Sequence, residues 1–240
     1  MAININRVYQ TVLALANKEQ RGYITPQEFN LFAHQAQMSI FEQYFYDLDQ
    51  FKRMAGSEID HNDSVKNIEK KIDSFLVSIP LTSPGTAQQL VYTDYYPVTT
   101  HALPSNIYRI AEVRGGTGQG DVERLSMRKF NQAMSSYLTR PNKKRPAYYV
   151  RGTEIIVAPN IDVNLLYIRA PYAPKWTYIV VNEKPIYVAA SDKQDFEIDA
   201  SDENKLVLKI LQLAGVAIED FNLVQAAGTA EVNTVAQQKQ

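Results

Sequence analysis

The chain has 240 residues, 45% of them hydrophobic and 21% charged, and a formal net charge of −1. That is enough ordinary globular sequence for one large domain or two small ones, without the basic excess of a dedicated nucleic-acid binder. It holds no cysteine, which excludes disulfides and thiolate metal sites, and its three histidines, His34, His61 and His101, lie far apart with no metal-type spacing.

No apolar run approaches the ~20 residues of a membrane span. The first ten residues, MAININRVYQ, lack the apolar core of a secretory signal. The expectation is a protein of a soluble, reducing or neutral setting with no membrane partner.

The first third reads helical. INRVYQTVLALAN places Ile5, Val8, Val12 and Leu15 near one helix face. A second helix starts at TPQE and continues through Phe29, Phe32, Ala36, Ile40, Tyr44, Leu48 and Phe51 to about Met54, with Gly56 as its stop. DSVKNIEKKIDSFLVSI predicts a third, carrying Val65, Ile68, Ile72, Phe75 and Leu76 and ended by Pro80.

The stretch joining the first two helices, NKEQRGYITPQE, has glycine sixth, isoleucine eighth and glutamate twelfth, as a calcium-binding EF-hand loop does. The ligand positions argue against calcium. Position one is Asn17 instead of aspartate, and position five is Arg21, which has no lone pair to give and brings positive charge. A capping box accounts for the same residues: Thr25 as N-cap, Pro26 at the first helical position and Glu28 reaching back to the Thr25 N–H, with Ile24 stapled onto Phe29.

The middle reads as strands punctuated by Pro and Gly. IYRIAEV alternates, SMRKFNQAMSSYL is a short helix, and PAYYVRGTEIIVAP is a hairpin turning at Arg151–Gly152. NLLYIRAPYAPKWTYIVV gives a strand and a Pro-broken extension, and EKPIYVAA one more strand. GGTGQGD lacks both the Gly-Lys-Ser/Thr ending of a phosphate loop and the strand–turn–helix setting of a dinucleotide fingerprint, so it reads as a flexible hairpin loop. Trp176, after a Pro-rich turn, is expected to anchor a core or a subunit contact.

The last helix, DENKLVLKILQLAGVAIED, is capped by Ser201 or Asp202, and Leu206, Ile210, Leu213, Ala214 and Ala217 share one face of it. From Phe221 on the chain is polar and rich in Ala and Gln, a tail suited to ordering on a partner. The element order predicts an α+β fold. Residues 1–79 and 201–220 form one helical bundle, residues 80–200 are a β-rich insertion and 221–240 an extended tail.

Three clusters carry chemistry. DKQDFEIDASDEN holds Asp192, Asp195, Glu197, Asp199, Asp202 and Glu203; paired carboxylates serve glycosidases, but here they read as a solvated linker and helix start. TRPNKKRPAYYVR sets Arg140, Lys143, Lys144, Arg145 and Arg151 beside Tyr148 and Tyr149, open to an acidic partner or a phosphate backbone. His34, inside the second helix beside Ala33 and Ala36, reads as structural. No catalytic serine elbow occurs, and the residues point to an interaction protein before an enzyme.

Five segments in this order, NKEQRGYITPQEFNLFAHQAQ, ALPSNIYRIAEV, RPAYYVRGTEIIVAP, LLYIRAPYAPKWTY and ENKLVLKILQLAGVAIEDFNLVQAAGTAEVN, resemble the head-to-tail adaptor proteins of tailed phages. The likeness is to the ring protein below the portal of short-tailed, crAss-like phages, and it covers almost the whole chain. It implies a structural virion protein of the neck, made in the bacterial host cytoplasm, with no reaction and no cofactor. It implies a homo-oligomeric ring, commonly dodecameric, that connects capsid to tail and lets genomic DNA pass without sequence reading. The implied partners are the portal protein and the next ring or tail protein. The C-terminal segment would clasp the portal, with Phe221, Leu223, Val224, Val232 and Val235 filling grooves. Arg140, Lys143, Lys144 and Arg145 would face a partner or the lumen. Two alternatives stand beside this: a carbohydrate-active enzyme using residues 192–203, and a regulatory module binding nucleic acid through residues 140–151.

Overall fold

Helices come first, strands occupy the middle and a helix closes the chain, among the residues that the computed structural model describes: 3–18, 24–53, 63–81, 98–116 and 121–217. The fold is α+β, as the element order predicts. It separates into two units, unit 1 from Met1–Lys71 with Pro171–Gln240 and unit 2 from Ile72–Ala170. Unit 2 is therefore an insertion in the sequence of unit 1, with borders at 71/72 and 170/171 where the sequence placed them at 79/80 and 200/201.

Two local features move those borders. The predicted third helix stops early: α3 spans Asp63–Asp73, the chain turns at Ser74–Phe75, and β1 runs Leu76–Leu81. LVSIPL alternates at strand period, and Pro80 is tolerated because β1 is an edge strand whose missing N–H breaks no sheet interior. At the other end, residues 171–200 belong to unit 1 because Trp176, Phe196 and Ile198 bury there.

In unit 1, α1 (Ile5–Lys18) and α2 (Pro26–Arg53) both pack on α5 (Glu203–Ala217). Asn4 starts α1, its side-chain oxygen accepting from the N–H groups of Asn6 at 2.9 Å and Arg7 at 3.1 Å. The buried stripe of α1 is Ile5, Val8, Tyr9, Val12 and Ala16, and Leu15 is exposed. At about 100° per residue Leu15 falls on the stripe's edge, while Tyr9 and Ala16 fall inside it. On α5, Leu206, Ile210 and Ala214 of the expected face are buried, with Val207 and Leu211 beside them, while Leu213 is half-buried.

The start of α2 is the predicted capping box. The Thr25 N–H donates to Glu28 Oε2 at 2.9 Å and the Glu28 N–H to Thr25 Oγ1 at 3.3 Å. The Thr25 N–H, and the Thr25 hydroxyl donating to Glu28 Oε2 at 2.7 Å, hold the Glu28 carboxyl below its ordinary range. Ile24 and Phe29, the expected staple pair, are both buried. The rest of the calcium-like stretch, residues 19–23, and the predicted helix end at Met54–Gly56 lie outside the described residues.

Unit 2 holds two sheets. One has the order β1–β7–β3, with β3 Ile107–Gly115 and β7 Val163–Arg169, all antiparallel. The other has the order β2–β6–β5–β4, from β2 Thr99–Ala102, β4 Glu123–Arg124, β5 Ala147–Arg151 and β6 Glu154–Ala158; β4 runs parallel to β5. The β5–β6 hairpin turns at Gly152, whose φ of 58° is the left-handed value that glycine adopts freely. Tyr148, Ile155 and Val157 cluster with Val113, Leu165 and Tyr167 of the other sheet. Tyr149, Ile156 and Ala158 cluster with Phe130 and Met134 of α4 (Met127–Ser135). Burial on both faces is why AYYV and EIIVA are continuous apolar runs and not alternating ones. Each such large side chain contributes roughly 1.5–3 kcal/mol of transfer free energy.

Candidate interaction surfaces

The acidic segment is structural, and its residues take separate tasks. Asp192 pairs with Lys175. Asp195 accepts the N–H of Ile5 at 3.0 Å, beside an antiparallel bridge of Ile3 with Phe196, so it tethers the start of α1. Glu197 accepts the N–H of Tyr172 at 2.8 Å. Asp199, not Ser201 or Asp202, makes the cap: its oxygen accepts the Ser201 N–H at 2.9 Å at the head of a short 3-10 turn, Ala200–Asp202, which leads into α5. Those bonds hold the Asp199 carboxyl below its ordinary range. Glu203 pairs with Arg7 of α1 at 2.9 Å.

Asp202 corrects the expectation of a solvated linker, being only 3% exposed. One of its oxygens accepts from the Tyr44 hydroxyl at 2.5 Å and from Lys71 Nζ at 2.7 Å. The Lys71 ammonium also lies 5.4 Å from the Tyr44 ring centroid. Burial, and then Asp202, push the Tyr44 hydroxyl far above the ordinary phenol range, so it stays a donor.

Tyr44 is the last of three polar residues spaced by seven on the inner face of α2. Gln37, fully buried, donates to the Tyr172 carbonyl at 2.7 Å and accepts the Glu197 N–H at 3.1 Å. Asn30 accepts the Trp176 N–H at 2.8 Å and donates to its carbonyl at 3.2 Å. Trp176 is buried, as expected of an anchor, with its indole N–H on Asn6 at 3.1 Å and its ring 4.1 Å from that of Tyr9. Asn30, Gln37 and Tyr44 thus fasten the returning segment 171–202 along about half of α2. Sequence reading missed the two amides, and the signal was there: polar residues two turns apart on a face otherwise apolar. His34, read as structural, is exposed on α2.

Beyond Trp176, β8 (Tyr178–Val181) and β9 (Lys184–Tyr187) form a hairpin with left-handed Asn182 and Glu183 at its turn. Its Tyr178 stacks on Trp176 at 5.5 Å, while Ile179, Val181 and Ile186 are exposed.

In unit 2 the basic stretch is a loop, as expected. Arg140 Nε donates back to the Met134 carbonyl at 3.3 Å, covering the end of α4. Asn142 and Arg145 close a tight turn through their backbones at 3.2 Å and 3.0 Å, and the Asn142 side chain accepts the Lys144 N–H at 2.9 Å. Lys143, Lys144 and Arg145 are exposed on this turn, whereas Tyr148 and Tyr149 are buried in the two core clusters and cannot flank it as aromatic platforms. The surface instead offers Tyr137, 89% exposed, and Leu138, 95% exposed.

The ends of the glycine-rich loop are hairpin-like, with Arg114 bridging Asp121; Thr117–Gly120 lie outside the described residues. So do the tail residues Phe221, Leu223, Val224, Val232 and Val235. Among the described residues no group of acids and histidines could hold a metal ion, and no helix is long and apolar enough to cross a membrane. No protein-family model matches the chain, and no curated protein matches it either.

Proposed function

We propose that the chain is a structural ring subunit: an adaptor below a phage portal that joins capsid to tail and lines the path of the DNA. The observation that carries this reading is a segregation of charge. Unit 1 holds 14 Lys and Arg against 19 Asp and Glu, a net of −5, and unit 2 holds 11 against 7, a net of +4. A chain with opposite signs on its two parts suits heterologous contacts, in which one face meets a different face of the neighbour, and such contacts build a ring when the rotation between neighbours closes. The segment resemblance supports the same reading, since its quoted stretches run through both units. The proposed partners are neighbouring copies, a portal protein and the next ring or tail protein, with residues 221–240 clasping the portal.

The test mixes the chain with the portal oligomer of the same genome and reads co-elution by size exclusion. Full-length chain is expected to co-elute stoichiometrically, and a chain lacking residues 221–240 to fold but elute separately. A full-length chain that stays apart from the portal contradicts the proposal.

A second reading has an observation of its own. Residues 127–145 contain six Lys and Arg and no acid, which suits a phosphate backbone. Binding to a labelled duplex that weakens steeply with salt would favour it.

A further inference from the structure

We propose that the outer face of α2 in one molecule receives the cationic α4–turn segment of a second copy of the same chain, head to tail. This rests on the ring-subunit reading and specifies which faces meet.

Four of the five most exposed large hydrophobic residues described fall on these two surfaces. Tyr137 and Leu138 lie on the cationic segment, and Leu31 and Tyr46, 65% and 67% exposed, lie on α2. On α2, Leu31, Gln35, Glu42, Tyr46 and Asp49 recur at steps of three, four and seven, and all are exposed. They form one outward stripe opposite the face that holds the returning segment. Glu42 and Asp49 make no ion pair among the described residues. The same holds for Lys143, Lys144 and Arg145, which crown the turn beyond Tyr137 and Leu138.

Each surface therefore pairs two apolar anchors with charges of one sign, and the signs are opposite. Apolar anchors supply affinity at an interface while opposed charges set register and partner. The surfaces lie on different units, so the contact is heterologous and each copy keeps one free surface for the next. A duplex would meet the cations but leave Leu138 and the α2 stripe without a role, which favours a second copy.

The chain has no cysteine of its own, so single introduced cysteines report proximity without background. Gln35→Cys, on the α2 stripe, and Thr139→Cys, beside Leu138, change exposed positions and leave the four apolar anchors in place; the two variants are made separately, mixed, and treated with a short thiol cross-linker, both free at high concentration and on the portal oligomer. The mixture is expected to give covalent dimers about tenfold above either variant alone, falling to that control level in 1 M salt, where the Debye length is ~3 Å. Lys143→Glu, Lys144→Glu and Arg145→Glu together, in the Thr139→Cys chain, should abolish the cross-link. Glu42→Lys with Asp49→Lys in the Gln35→Cys partner should restore it, which also shows that the charge-reversed chain is folded.

Yields at the control level, or yields untouched by charge reversal, would overturn the proposal. If the reversed cations instead abolish binding of a labelled duplex while the mixed-cysteine yield stays at the control level, the surface belongs to nucleic acid. A second ring under the portal without the 35–139 cross-link leaves the adaptor reading standing and removes this one. The cross-link without portal binding does the opposite.

Discussion

In unit 2, β5 pairs with β6 across a two-residue turn, and the sheet's side chains sort to one apolar cluster or the other by simple alternation. In unit 1 the ties on α2 join residues 135 to 160 positions apart, and the tether from Asp195 to Ile5 spans 190. The first region rests on apolar area, which tolerates substitution as long as volume is kept. The second rests on buried hydrogen bonds, and removing one partner strands the other without water. The same chain therefore builds one part that is robust to sequence change and one that depends on a few particular side chains.

Breaking the tie at its apolar centre should have the largest effect. Trp176→Ala is expected to cost about 4 kcal/mol in denaturant unfolding followed by circular dichroism, the range for deleting a buried large aromatic. Hydrogen exchange should then speed in α1, α2 and α5 while β5 and β6 stay protected. Equal loss of protection in β5 and β6 would erase the contrast between the regions.

Next comes Asp202→Asn, which leaves the Lys71 ammonium and the Tyr44 hydroxyl with a neutral amide. Because Asp202 is buried, the expected loss is roughly 2–3 kcal/mol, and a neutral result would mean the buried pair contributes nothing net.

The third sharpens the contrast from the side of unit 2. His101 is buried on β2, and its Nε2 has no hydrogen-bond partner among the described residues. Burial pushes its pKa below the ordinary value, with Asp162 opposing that in part. The folded unit then resists a proton that the unfolded chain accepts. Its stability is full above about pH 6.5 and falls as pH drops below that, by up to about 1.4 kcal/mol per pH unit until the folded-state pKa is reached. Protection of β5 and β6 should weaken between pH 7.5 and pH 5.5, and His101→Gln should flatten that dependence. The smallest effect is local: Thr25→Ala should cost about 1 kcal/mol through loss of the α2 cap, read as a lower melting temperature.

What could be read from sequence follows the same division. The β5–β6 hairpin, α4 and the Thr25–Glu28 box were legible because each signal is complete within a dozen residues. Leu76 was placed on a helix because the helical period of Val65, Ile68 and Ile72 runs on past Asp73, and only pairing with β7, some ninety residues away, makes LVSIPL a strand. Asp202 looked like one acid among six until Tyr44 and Lys71 were brought to it by the fold. The exposed stripe of α2 and the Tyr137–Leu138 pair were invisible for a different reason: period identifies which residues share a face, but not which face is left in water.

The proposed ring against a portal would be visible by electron microscopy of the two proteins mixed. With 1 mM EDTA present, a condition of ordinary order for removing calcium, the expected image is a stoichiometric second ring below the portal, made by a chain whose calcium-like stretch needs no metal. Folded chain with portal particles that carry no added ring would contradict the proposed ring.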